Sequence, residues 1–376
     1  MGIDAERVLE LISGRPRVVG VGEPTHGEDE LLEMRNGLFR QLVEEAGYRT
    51  IALESDCLMG LLVDDYVASG NGSLDEVMER GISHGWGAYE GNRELVRWMR
   101  AYNDGREAAD QVRFAGFDGP LETAAGASPR QALMALHHYL DAAQVPWTSD
   151  RLEELLGPDE QWTNPDAMMD PSKSVGRTAE AKELRLIADD LAALLDAQTP
   201  ELMMSQYEWD RAQLFARTAT GLLRYHFWMA DTSPSRFTWL LRIRDSMMAA
   251  NLLALRTPTL VYAHNAHLQR DKSSMRFADQ SLEWWSAGAI VSAQLGDQYA
   301  FVATALGTIH HQGVGAPEPD TIEGILYTQP EDQYVVDPKL IDATKPRVSP
   351  WFGYAPLDPA HLNNYDAIIF IKDSHR

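Results

Sequence analysis

Two glutamates, an arginine and three histidines stand at spacings that suit proton transfer. Glu23 and His26 lie three residues apart in "GVGEPTHGEDELLEMR" (20–35), a Gly- and Pro-marked turn that follows an apolar run and opens a helical pattern. Arg35 lies nine residues beyond His26. Glu54 closes the apolar run "TIALES" (50–55), and His264 and His267 are three apart in "VYAHNAHLQR". A histidine near a helix start is a candidate general base, because the positive end of the helix dipole disfavours the imidazolium and keeps the ring neutral. A carboxylate beside it, from Glu23 or from Glu54, works in the opposite sense. It fixes the tautomer and leaves the second nitrogen to take a proton from water.

Elements of a particular kind must hold these groups. Four apolar runs, "RVVGVG" (17–22), "TIALES" (50–55), "VRFAGFD" (112–118) and "TLVYAHN" (259–265), alternate with helical patterns. Unbroken apolar character marks strands buried on both faces, so the fold class is α/β, with a mainly parallel central sheet flanked by helices. "YAFVATALG" (299–307) and "DAIIFIKD" (366–373) add two further strands. Ligands bind beyond the carboxyl ends of such strands. That rule gathers Glu23, His26, Glu54, Asp118, His264 and His267 on one rim, with Asp118 as a substrate contact. After the first turn, Leu31, Met34, Leu38 and Leu42 share one helix face, and Pro24 suits a first helical position.

From about Pro129 to Arg256 the pattern turns to long helical periodicity without a strand. Residues 129–256 are expected to form a helical insertion covering the active-site rim as a lid within a single domain spanning 1–376. "GPDEQWTNPDAMMDPSKSVG" (157–176) is its expected mobile loop. Trp86 and Tyr89 are candidates for an apolar, substrate-binding wall. His84, His310 and His311 lie in Gly-rich loops and are expected to face solvent.

Composition narrows the partners. The 376 residues carry a formal net charge of -23, which repels phosphate backbones and anionic headgroups, so neither nucleic acid nor a membrane surface is an expected partner. No run approaches about 18 apolar residues, and the first residues lack an apolar signal core. The single cysteine, Cys57, has no partner for a disulfide or a thiolate metal motif, which suits a cytoplasmic protein. A P-loop, a G-x-G-x-x-G fingerprint and an H-E-x-x-H helix are missing from the chain, and its one G-x-S-x-G string, GISHG (81–85), does not follow an apolar strand run as a nucleophile elbow requires.

In order along the chain, "GEPTHGEDELLEMR", "TIALES", "WMRAYN", "FAGFD", "RDSMMAANL" and "VYAHNAHLQR" resemble the erythromycin esterases, from about Gly20 to Arg270. The match departs at Pro24, where family members commonly carry a small residue. The resemblance implies a cytoplasmic, metal-independent hydrolase, without a cofactor, that opens a macrolide or other cyclic ester with an activated water. It implies His26 as general base, with Glu23, Arg35, Glu54, His264 and His267 as the remaining catalytic polar residues. On sequence alone Arg35 either offers donors to an oxyanion or holds a glutamate in place. Two other chemistries fit the same residues. One is a biosynthetic tailoring enzyme using the His26 base for cyclisation, elimination or acyl transfer. The other is metal-dependent hydrolysis, with the three histidines and two glutamates as ligands.

Overall fold

A computed structural model describes residues 3–12, 14–121, 126–140, 145–277 and 279–375. The apolar runs form β1 (Val18–Glu23), β2 (Thr50–Asp56), β3 (Arg113–Asp118) and β4 (Thr259–His264). A hairpin of β5 (Lys272–Phe277) and β6 (Gln280–Trp285) follows, then β7 (Tyr299–Ile309), β8 (Gln333–Val336) and β9 (Ala367–Ser374). The seven-stranded sheet runs β3-β2-β4-β1-β7-β9-β8. β1 is parallel to both β4 and β7, β2 to β4, and β9 to β7; the short edge strand β8 is antiparallel to β9. Every residue of β1, β2 and β7 is buried, as unbroken apolar runs require.

The order in which the chain lays down its strands reverses at β1. From β1 the chain travels one way to β2 and β3, returns to lay β4 alongside, and then builds β7 on the far side. The carboxyl end of such a switch point is a crevice. In the β1–β4 register Glu23 stands opposite His264. Gly22 permits this junction, since a Cβ there would collide with the Asn265 side chain. Asn265 in turn donates to the Thr304 carbonyl (2.9 Å) and accepts from its N–H (3.3 Å), pinning the end of β4 to β7.

The helix Asp29–Ala46 buries Leu31, Met34, Leu38, Phe39 and Leu42, and ends at Gly47 in the left-handed region (φ +76°). Asp29 and Glu30 in its first turn favour the positive helix end. Its N-cap is Glu28, so Pro24 does not occupy the first helical position; Pro24 to Gly27 form a loop ahead of the helix. Two elements escaped the sequence reading. The β5–β6 hairpin is mostly polar and exposed, and β8, Gln-Tyr-Val-Val, is only four half-buried residues, too short to stand out.

The chain divides into two compact units. One comprises 1–54, 59–116 and 255–376 and holds the sheet up to Gly116; the other comprises 55–58 and 117–254. In the second, the helices Arg130–Tyr139, Ser149–Leu156, Ala179–Ala197, Gln206–Met229 and Arg236–Ala254 account for the helical periodicity of 129–256. Residues 141–144 of that stretch lie outside the described residues. Leu133, Leu136, Leu156, Leu184, Leu191, Trp209 and Leu223 form this unit's core. The loop 157–176 carries three short 3-10 turns.

Candidate active site

The loop after β1 folds back so that His26 meets Glu23. The His26 Nδ1–H donates to Glu23 Oε1 at 2.6 Å, and the second Glu23 oxygen accepts the Tyr262 hydroxyl at 2.6 Å. Glu23 is sealed from solvent, whereas the His26 side chain is 33% exposed. A carboxylate with both oxygens engaged holds one imidazole tautomer, with Nε2 as the accepting atom. Of the two carboxylates weighed from the sequence, Glu23 is therefore the one bonded to Nδ1 of His26. Burial, then the charge of Glu23, push the Tyr262 phenol well above its usual value, so it remains a donor.

Glu54 ends up beside the other two histidines. Its Oε2 accepts the His264 backbone N–H at 2.9 Å, and its Oε1 lies 3.4 Å from His267 Nε2. His264 Nδ1 accepts from the Ala266 N–H (3.2 Å), capping the short helix Asn265–Leu268. That bond requires an unprotonated Nδ1. Burial, assisted by His26 and His267 and opposed by Glu54 and a bond to the Pro24 carbonyl, lowers the His264 pKa to about 3. The ring is thus neutral throughout the physiological range, 5.4 Å from the His26 ring.

Arg35 is buried beneath this layer. Its guanidinium donates to Asn36 Oδ1 (3.1 and 2.8 Å) and Asn92 Oδ1 (2.9 Å), and lies 5.0 Å over the Tyr262 ring. Among the described residues none of its hydrogen bonds goes to Glu23 or Glu54. Burial lowers its pKa, against the attraction of Tyr262, Glu23 and Glu94. Asn92 passes the contact onward by donating to the Trp86 carbonyl at 2.9 Å. Arg35 therefore supports both the tyrosine that bonds Glu23 and the loop that carries Trp86.

Trp86 packs its ring 4.6 Å from His26, with His84 4.8 Å from its ring. His84, expected to face solvent, is half-buried and adopts φ +60°, the one positive φ among described residues other than glycine. The Tyr89 hydroxyl fills the space at Gly27, where a Cβ would lie 2.8 Å away, and Gly27 itself takes φ +83°. Asp118, in the second unit, accepts from Arg244 Nε (3.0 Å) and Nη2 (2.7 Å) and from the Gly119 N–H (2.7 Å). Among the described residues no group of three or more His, Cys, Asp or Glu is arranged to hold a metal ion.

Sequence reasoning passed over Tyr262, although period-two alternation along β4 places it on the His264 side. It also passed over Glu28, whose carboxylate is buried.

The family model for erythromycin esterase matches residues 43–374, a span that includes Glu54, Trp86, Tyr89, His264 and His267 and begins after His26. Erythromycin esterase type II of Escherichia coli is 24% identical over 338 residues, covering 85% of this chain and 76% of its own length. A Bacillus cereus protein of solved structure superposes with a TM-score of 0.74 at 18% identity, covering 99% of this chain and 93% of its own. A solved erythromycin esterase, EreC, a His-to-Asn mutant in its open conformation, gives a TM-score of 0.72 at 20% identity, with 98% and 93% covered. With the family model matching most of its length, the chain belongs to the erythromycin esterase family.

Proposed function

We propose that this hydrolase cleaves an ester or macrolactone with a water activated by His26, without a metal. The observation that carries the reading is the 2.6 Å bond from the His26 Nδ1–H to buried Glu23, with Tyr262 holding the far oxygen. His26 Nε2 takes a proton from water as the water oxygen attacks the acyl carbon. Glu23 stabilises the resulting imidazolium. The tetrahedral intermediate collapses, and the imidazolium returns its proton to the departing alkoxide; a lactone opens to a hydroxy acid. His267, held by Glu54, is the proposed donor to the developing oxyanion, and His264, neutral with its one N–H on the Pro24 carbonyl, is proposed to hold the loop beside His26. Arg35 is proposed to act at one remove, through Tyr262 and Asn92. Trp86 and Tyr89 are proposed to bound the substrate beside His26.

The substrate proposed is a macrolide or another cyclic ester, the class named for the Escherichia coli relative. Among the described residues no helix is long and apolar enough to cross a membrane. A cytoplasmic setting is proposed from Cys57, free and buried, whose thiol burial pushes up to about 12.

The test is incubation with a panel of macrolides and simple lactones, with and without chelator, followed by mass spectrometry. A product heavier by one water, formed at the same rate with chelator, is expected. His26→Asn should lower its rate by at least about a hundredfold while the protein stays folded. Turnover by that variant within tenfold of wild type would remove His26 from the base role, and a product without added water would move the site to a non-hydrolytic reaction.

A further inference from the structure

Beyond the six polar residues, one buried carboxylate next to His26 has no part in the proton transfer. Glu28 is 2% exposed and is the N-cap of the helix Asp29–Ala46, yet its side chain makes no capping bond. It turns instead toward the far strands. Ser374, the last residue of β9, donates its hydroxyl to Glu28 Oε2, and His311 Nε2 stands 3.3 Å from Glu28 Oε1. Strand register explains the meeting: Ser374 pairs with Ile309 at the end of β7, and His310–Gln312 follow directly. The neighbouring Glu30 accepts the His375 N–H (2.9 Å), and its other oxygen lies 2.8 Å from the Ser374 hydroxyl oxygen, whose single hydrogen is on Glu28.

These contacts close the last side of the loop that carries His26. At its start, the Pro24 carbonyl accepts the Ala355 N–H at 2.8 Å. At Gly27 the Tyr89 hydroxyl occupies the place of a side chain. At Glu28 the ends of β7 and β9 hold the carboxylate. His26 lies between these anchors, two residues from Glu28, and its bond to Glu23 tolerates little displacement. Desolvating a carboxylate is costly, so a buried one needs its donors. Without Ser374 the Glu28 side chain gains a reason to turn to water and to draw the loop with it.

We propose that Glu28 is a positioning residue for His26, and that Ser374 and His311 act through it. The catalytic consequence rests on the reading of His26 as the base. A misplacement of about 1 Å at a reacting group costs on the order of a hundredfold in rate.

The test uses the full chain with Ser374→Ala, Glu28→Gln and Ser374→Thr. Two quantities are read: kcat and KM on the lactone that the panel identifies, and the low-field proton resonance of the His26 Nδ1–H, assigned by its loss in His26→Asn. Ser374→Ala and Glu28→Gln should lower kcat by about tenfold to a hundredfold at unchanged KM and weaken or shift that resonance. Ser374→Thr, which restores the hydroxyl, should recover both. An unchanged kcat and an unchanged resonance in Ser374→Ala and Glu28→Gln would overturn the proposal. Should Glu28→Gln fail to fold, Ser374→Ala, which deletes one hydroxyl, decides alone. Full turnover by His26→Asn would discard the base reading and the rate effect with it; the resonance in Ser374→Ala then decides whether Glu28 positions the loop.

Discussion

Glu23 and Asp118 both close a strand of the central sheet, both are almost wholly withdrawn from water, and they meet opposite kinds of partner. Glu23 meets an imidazole and a phenol; Asp118 meets a guanidinium that grips it with two nitrogens. An imidazole gains and loses protons near neutrality, and a guanidinium does neither. The pair at Glu23 is therefore suited to moving a proton, and the pair at Asp118 to holding structure. A carboxylate at a strand end signals a rim in either case. Its partner decides what the rim does.

The largest effect expected from this contrast is at Glu23. Glu23→Gln keeps the shape but loses the charge that stabilises an imidazolium, and the amide NH2 offers a hydrogen where His26 Nδ1–H and the Tyr262 hydroxyl both need an acceptor. kcat should fall by about ten-thousandfold, as when the carboxylate orienting a catalytic histidine is neutralised, with thermal unfolding little changed. A fall below tenfold would leave His26 without need of Glu23.

Asp118→Asn should do the reverse. With the carboxylate gone, Arg244 stays partly buried without its counter-charge, which costs about 3 kcal/mol, read as an earlier denaturant midpoint. A folded and fully stable Asp118→Asn that has lost turnover or substrate affinity would return Asp118 to the substrate-contact role expected from its place in the sequence. The two variants together separate loss of chemistry from loss of fold.

How far each feature was legible follows from the same physics. β1, β2, β4 and β7 stood out because burial on both faces leaves no room for polar residues. The hairpin Lys272–Trp285 hid because its exposed positions are polar and its buried ones few. At the site, a strand-end rule gathers Glu23, Glu54 and His264, since each closes or nearly closes an apolar run. It says nothing of which carboxylate meets which histidine. That depends on a loop of five residues from Pro24 to Glu28, whose path is set by Tyr89, Ala355 and Ser374, residues tens to hundreds of positions away. Arg35 shows the same limit: its spacing fits either a donor to substrate or a support, and its burial against Asn36, Asn92 and Tyr262 is visible only in three dimensions.

A smaller effect separates His26 from the fully buried histidines. His226, in the second unit, bonds the Ala127 carbonyl through Nε2 at 2.8 Å, and burial, opposed by that bond, lowers its pKa to about 4. The sign follows from which state takes up the proton. Above pH 6.5 the ring is neutral folded and unfolded, and pH has no hold on it. As pH falls through 6.5, the unfolded chain protonates this histidine while the folded chain does not, so stability is lost until the folded pKa near 4 is reached. Between pH 7.5 and 5 that loss is about 2 kcal/mol. His226→Gln keeps a donor for Ala127 but cannot titrate. Its stability deficit against wild type, measured by urea unfolding, should therefore shrink by about 2 kcal/mol between those pH values. An unchanged deficit would mean that folded His226 protonates as readily as the unfolded chain, so that burial is not what keeps an imidazole neutral here. The same burial holds His264 neutral beside His26, so that result would also overturn the neutral state of His264.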